Sequence, residues 1–207
     1  MPDDSFEIQM GALDGRLIVG VDEVGRGPLA GPVTAAAVIL DLPRLPPWLR
    51  EALDDSKVLP HPRRVELATA VKDYAVTAVA SCTAAEVDEL NILQASLLAM
   101  RRAVAGLGVV PDGALVDGLQ DPGLGCEHRC LVGGDGLCLS IAAASIIAKV
   151  SRDEHMDELS EDYPGYGWER NRGYATPEHR RALQDLGPCL EHRRSFSPIR
   201  QLFLPNI

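Results

Sequence analysis

Several things are missing from this 207-residue chain, and each absence closes off a class of protein. It has no long hydrophobic run: the longest mostly apolar stretch, Ser140 to Ala148, falls far short of the ~20 residues that span a bilayer, so no membrane role is expected. It has no internal repeat and no low-complexity tract, which excludes solenoids, collagen and wholesale disorder. The first residues, Met1-Pro-Asp-Asp-Ser-Phe-Glu7, are acidic where a signal or transit peptide is basic, and a cytoplasmic location is expected. Cysteine is sparse and odd in number, five in all, which points to reduced thiols rather than a disulfide framework. Cys126, His128, Cys130 and Cys138 miss the paired spacings of a zinc site and read as buried or incidental thiols. Lysine is scarce too, at three of the 20 basic residues.

What is present is an ordinary globular composition, 46% hydrophobic and 24% charged, at a length that suits one domain with a small appendage. The net charge of −10 argues by itself against a nucleic-acid partner. Its distribution argues the other way. Arg170 to Arg200 holds seven arginines against three acids, a local +4 that leaves −14 on the rest, and such a basic quarter can track a phosphate backbone.

Arg16–Val21 and Val33–Leu40 are compact apolar runs, and the Gly/Pro-rich stretch 25–32 between them forces a turn, so two antiparallel strands are expected. Pro62 suits the first turn of a helix reaching about Asp73, and Ala75–Cys82 reads as a third strand. Ala84–Ala105 is helical in one or two pieces, and Gly113–Asp117 and Cys130–Val132 are short strands. Leu139–Tyr163 is a long helix, with a packed apolar first half and a charged second half projecting into solvent. Thr176-Pro177 starts a last helix that Gly187-Pro188 stops. The order predicts an α/β domain with a mixed sheet and a helical C-terminal appendage.

Acids at strand ends carry the chemical signal. Asp22 and Glu23 close the first strand, Asp117 closes a later one, and Asp135 follows a third. Carboxylates at the edge of a low-dielectric sheet are costly unless paired or bound to a cation. Converging oxygens suit Mg²⁺ or Mn²⁺, and two such ions ~3.5–4 Å apart can clamp a phosphodiester. From spacing alone, Asp117-Gly118 and Asp135-Gly136 read equally well as plain turns.

The sequence around these acids is more specific. Val21-Asp-Glu-Val-Gly-Arg-Gly-Pro-Leu-Ala-Gly-Pro-Val33 resembles the signature of the type 2 ribonucleases H, in their bacterial ribonuclease HII branch. The match continues through Asp55-Ser-Lys57, Val116-Asp-Gly118 and Ser140-Ile-Ala-Ala-Ala-Ser-Ile-Ile-Ala-Lys149. It ends with Tyr166-Gly-Trp168, Asn171-Arg-Gly-Tyr-Ala-Thr176, His179 and His192-Arg-Arg-Ser-Phe196.

The resemblance implies a ribonuclease H-like mixed β-sheet flanked by helices, with a helical C-terminal subdomain. It divides the chain into an extension (1–16), a catalytic domain (17–163) and a substrate-binding segment with tail (164–207). It implies that Asp22, Glu23, Asp117 and Asp135 bind two Mn²⁺ or Mg²⁺ ions and are catalytic. Gly25, Arg26 and Gly27 would sense the 2′-hydroxyl, Tyr174 would stack on the next sugar, and Lys57, Ser145 and Lys149 would meet phosphates. The implied partners are RNA–DNA hybrids and duplex DNA holding ribonucleotides, met by a monomer. The implied reaction is hydrolysis to 3′-hydroxyl and 5′-phosphate ends, on the 5′ side of a single ribonucleotide.

Two features depart from the family pattern: Gly133 precedes Gly134-Asp135 where a lysine is common, and Val58 follows Lys57 where a second lysine is common. Both thin the positive charge near the site. Gln201-Leu-Phe-Leu-Pro205 loosely resembles a sliding-clamp-binding pentapeptide. Ribonuclease HIII shares the core but carries an extra N-terminal domain, and only 16 residues precede the first strand here. A non-catalytic hybrid-binding protein would lack a carboxylate, and a P-loop protein needs Gly-Lys-Ser/Thr, which is absent after the first strand.

Overall fold

The structure, a computed structural model, describes residues 1–202. Its strands are β1 (Ile18–Val24), β2 (Val33–Leu40), β3 (Ala75–Cys82), β4 (Gly113–Asp117) and β5 (Glu127–Leu131). The helices are α1 (Ser5–Gln9), α2 (Pro47–Ala52), α3 (His61–Lys72), α4 (Ala84–Leu90), α5 (Ile92–Ala105), α6 (Leu139–Asp162), α7 (Trp168–Asn171), α8 (Pro177–Leu186) and α9 (Ser197–Gln201). The sheet order is β3-β2-β1-β4-β5; β1 and β3 run antiparallel to β2, while β4 is parallel to both β1 and β5.

The sheet is covered on both faces, which explains why β2 is an unbroken apolar run rather than an alternating one. Ala36, Val38 and Leu40 pack toward α2, α3 and α6. Val33, Ala35, Ala37 and Ile39 pack toward α5 with Val19, Val21, Ala114 and Val116. A side chain at Gly20 would run into the backbone of Ser140, so glycine there lets α6 lie directly against β1.

The expected strands and long helices are present, although β5 spans Glu127–Leu131 rather than Cys130–Val132, and the helix over 84–105 is in two pieces. Asn91 breaks it at φ 68°, and its side chain caps α5 by accepting from the Leu93 and Gln94 N–H groups. β1 runs on through both acids to Val24, three residues past the end of its apolar run. One expectation fails. The second half of α6 does not project into solvent: Arg152, Asp153, Met156 and Leu159 are buried. Met156 and Leu159 pack with Leu29, Ala30, Tyr166, Trp168, Ala182, Leu183 and Ile199, so the C-terminal segment and the 25–32 loop close over this half of the helix. No helix among the described residues is long and apolar enough to cross a membrane.

Candidate active site

Asp22 and Glu23 are neighbours on one strand and should face opposite ways. The sheet resolves this by ending on one side only. β1 pairs with β2 through Asp22↔Ala36, Glu23↔Ala35 and Val24↔Thr34, but its pairing with β4 stops at Val21↔Val116. Beyond that point the β4 side of β1 is open, and Asp117 ends β4 beside the gap. Ligand oxygens of Asp22, Glu23 and Asp117 accordingly lie within 4.8 Å of one another, at the carboxyl ends of two adjacent parallel strands.

The cluster is electrostatically loaded. Burial, reinforced by Glu23, Asp117 and Asp135, raises the Asp22 carboxyl well above the usual range, against a hydrogen bond from the Glu23 N–H. Burial raises Glu23 as well, although the Arg26 guanidinium, 3.1 Å from its Oε1, pulls it down. Asp117 is raised by burial and relieved by the Gly134 N–H, which donates to its Oδ1 at 2.7 Å. A buried set of acids that resists its own charge is the donor set a hard divalent cation satisfies.

Asp135 stands apart from this trio. It lies on a 3₁₀ turn, Gly134–Gly136, and its Oδ2 accepts from the Lys57 ammonium at 2.7 Å. Lys57 also reaches Asp55 at 3.2 Å. Partial burial pulls the Lys57 pKa down, but the bond and attraction to Asp135 outweigh it and the shift is upward. Ser145 is buried, with its hydroxyl 2.6 Å from that of Ser56, the residue before Lys57. Lys149 is held by Asp153 at 2.6 Å, the i,i+4 pair its helical spacing allows.

The glycine-rich loop is built from beneath. Gly25 has φ 90°, and a Cβ there would overlap the Arg152 side chain and lie 2.8 Å from the Pro32 carbonyl, so only glycine fits. A Cβ on Gly27 would meet only Tyr174, at 3.6 Å, which puts the tyrosine ring about a methyl group's width from the Gly27 backbone. Under the loop, buried Arg193 donates to the carbonyls of Gly25 (2.6 Å), Arg26 (3.0 Å) and Gly31 (3.0 Å). Arg152 donates to the carbonyls of Pro32, Ala30 and Arg172. Burial lowers Arg152 to about 10 and, with repulsion from Arg152, Arg193 to about 9. Sequence reasoning gave Arg152 no role and counted Arg193 in the basic quarter facing phosphate, because an arginine in a polar run reads as surface.

The basic C-terminal quarter is correspondingly less of a stripe than its charge count predicts. Arg193 is internal, Arg170 pairs with Glu169 and Glu178, and Arg172 pairs with Asp157. Arg180, Arg181, Arg194 and Arg200 are exposed. The five cysteines are free thiols. Behind Tyr174, His179 Nδ1 bonds the Tyr174 carbonyl at 2.9 Å, while its Nε2 meets the Trp168 indole N–H and His192 Nε2. The Cys189 N–H donates to His192 Nδ1, so the network closes with both rings neutral. Burial lowers both histidines, His192 to about 3.

A mixed five-stranded sheet with acids gathered where its central parallel strands end is the arrangement of the ribonuclease H fold class. Comparison with known proteins narrows this. The family model for ribonuclease HII matches residues 19–199. A ribonuclease HII of Paramagnetospirillum magneticum is 54% identical over 99% of this chain and all of its own length. Among solved structures, the ribonuclease H2 of Pyrococcus horikoshii superposes with TM-score 0.75 at 26% identity, covering 89% of this chain and 96% of that one. The ribonuclease HII of Archaeoglobus fulgidus, solved in complex with PCNA, gives 0.73 at 26% identity, over 86% and 93%. The chain belongs to the ribonuclease HII family and is a metal-dependent ribonuclease H endonuclease.

Proposed function

We propose that this enzyme cleaves the RNA strand of RNA–DNA hybrids and incises duplex DNA on the 5′ side of a single ribonucleotide, using divalent ions held by Asp22, Glu23, Asp117 and Asp135. The observation that carries the reading is the convergence of three buried or half-buried carboxylates within 4.8 Å. An all-oxygen donor set fits Mg²⁺ or Mn²⁺ rather than zinc. Asp22, Glu23 and Asp117 would hold one ion, and Asp135 would complete the set for a second once Lys57 turns to the substrate; bound there, two ions supply Lewis-acid charge and an acidified water.

The other residues bind and select. Lys57 has an exposed side chain and carries a compact charge suited to a phosphate at the rim of the acidic cluster. Arg152 and Arg193 add buried positive charge beneath a loop that must meet a polyanion on an otherwise acidic protein. The backbone at exposed Gly27 can be approached closely enough to bond a 2′-hydroxyl, buried Gly25 supports it from beneath with its carbonyl held by Arg193, and the exposed ring of Tyr174 beside Gly27 would meet the next sugar. A site built to bond one hydroxyl rejects a sugar lacking it, because its own buried groups then go unpaired. Ser145, being buried, acts in this reading through Ser56 next to Lys57, while Lys149 would meet phosphate itself when released by Asp153.

Mn²⁺ uptake followed by electron paramagnetic resonance tests the assignment. Two ions are expected with a bound hybrid, and Asp22→Asn should lose ion binding together with cleavage. Wild-type uptake and cleavage by Asp22→Asn would overturn it. The clamp reading of Gln201–Pro205 falls mostly on Phe203–Pro205, which lie outside the described residues. It draws support from the Archaeoglobus fulgidus relative solved with PCNA. Clamp binding that survives deletion of residues 201–207 would refute it.

A further inference from the structure

The residues before β1 read as an extension, and the family match begins only at residue 19. In the fold they are tied into the segment that follows Asp135. Asp3 forms a parallel bridge with Cys138: its N–H donates to the Leu137 carbonyl at 3.2 Å, and its carbonyl accepts from the Leu139 N–H at 2.9 Å. Glu7, only 2% exposed, turns its carboxylate onto the start of α6. Its Oε1 accepts from the Ser140 N–H at 2.6 Å and from the Cys138 thiol at 3.1 Å.

These contacts do work that α6 does not do for itself. Cys138, the residue before the helix, makes no capping bond with its own side chain. Two of the first-turn N–H groups of this 24-residue helix are therefore satisfied from the far end of the chain, one of them by an acid, which also suits the helix dipole. Burial and the nearby Glu7 hold the Cys138 thiol protonated, so it keeps the hydrogen it donates. The anchorage is firm: Met10 packs with Ile18, Leu115, Cys138 and Ile141, Asp4 pairs with Arg50, and Arg16 bonds the Met10 carbonyl at 2.8 Å. The second Glu7 oxygen is buried without a partner, a cost that an apolar filler at this position would not carry.

The turn that presents Asp135 is thus strung between two anchors. On one side the Gly134 N–H is held by Asp117 Oδ1. On the other, Leu137, Cys138, Leu139 and Ser140 are held by Asp3 and Glu7. We propose that residues 3–10 are a clasp that sets the position of Asp135, with Glu7 as its principal positioning residue, so that ion binding in the acidic cluster depends on a segment outside the family-matched stretch. This rests on the reading that Asp135 serves the metal site.

The test is Mn²⁺ binding by full-length Glu7→Ala, Glu7→Leu, Glu7→Gln, Asp135→Asn and Leu67→Ala, each measured well below its melting temperature. Leu67 is a core residue of α3 and serves as a control for destabilisation alone. Glu7→Ala is expected to weaken Mn²⁺ binding by about 10–100-fold, the range for residues that orient a metal ligand, and to speed amide exchange at residues 137–141. Glu7→Gln keeps an acceptor for Ser140 and should weaken binding less. Leu67→Ala should lower the melting temperature and leave the binding isotherm unchanged. Wild-type affinity in Glu7→Ala, or in Glu7→Leu should the alanine variant not fold, overturns the clasp when Asp135→Asn does weaken binding. Wild-type affinity in Asp135→Asn as well overturns the assignment of Asp135 itself.

Discussion

Asp22 lies on the α6 side of β1, and its burial works against the charge that the chemistry needs. Replacing it with asparagine removes a ligand and a repulsion together. Activity should fall by more than the ~10–100-fold typical of residues one step removed from a metal. The metal-free protein should meanwhile become more stable, at about 2–4 °C in Tm for each 1 kcal/mol of relief in a chain of this size. The sign follows from linkage. The folded pKa of Asp22 lies above the unfolded value, so the folded state holds more protons, and this residue's penalty grows as pH rises from the unfolded value through the folded one. Melting curves in chelator should therefore show Asp22→Asn gaining most over wild type near neutral pH and least in acid. Equal Tm values at pH 7 would contradict the electrostatic account. Arg193 offers a second residue-scale test. An ammonium cannot span three carbonyls, so Arg193→Lys should cost about 2–4 kcal/mol in denaturant unfolding and raise KM for a hybrid more than it lowers kcat. Strand-end placement only suggested the acids and the surrounding motifs singled them out, whereas a buried arginine is invisible in sequence because its partners are backbone carbonyls far along the chain.

At the scale of elements, the loop over 25–32 is pinned by strands of backbone from the C-terminal segment. The Leu29 N–H donates to the Gly173 carbonyl, the Gly31 N–H to that of Glu191, and the Arg193 N–H to that of Leu29. Gly25→Ala must both hold a positive φ and displace Arg152, and should destabilise by at least ~2–3 kcal/mol. Gly27→Ala has room and should fold normally, yet its methyl, in contact with Tyr174, would cover the Gly27 backbone and raise KM for substrates holding a ribonucleotide. A Gly27→Ala enzyme with unchanged KM would remove the Gly27 backbone from the binding surface. The strands and the longer helices were readable because apolar runs, prolines and caps lie within each segment. The burial of the second half of α6 was not, since it depends on Tyr166, Trp168 and Ile199 arriving from later in the chain. α1 was equally hidden: its five residues carry no periodicity, and its role comes from contacts at residues 137–140.

Over the whole molecule, two opposed charge distributions meet at one face, an acidic body that gathers cations and buried guanidiniums under the loop expected to meet phosphate. The neutral His179–His192 pair behind Tyr174 links that loop's stability to pH. His192 is depressed to about 3, so its contribution is fully present above the unfolded value of ~6.5 and is lost as pH falls from there toward 3. Tm measured across that window should drop less steeply in His192→Gln than in wild type, and parallel curves would show that the pair is not titrating.

The most direct test of the central claim maps the cut in an end-labelled DNA duplex containing one ribonucleotide, in Mg²⁺ and separately in Mn²⁺. A single incision on the 5′ side of the ribonucleotide, lost on chelation and in Asp22→Asn, is the predicted result. Binding without incision under either ion, or incision that persists in Asp22→Asn, would contradict it.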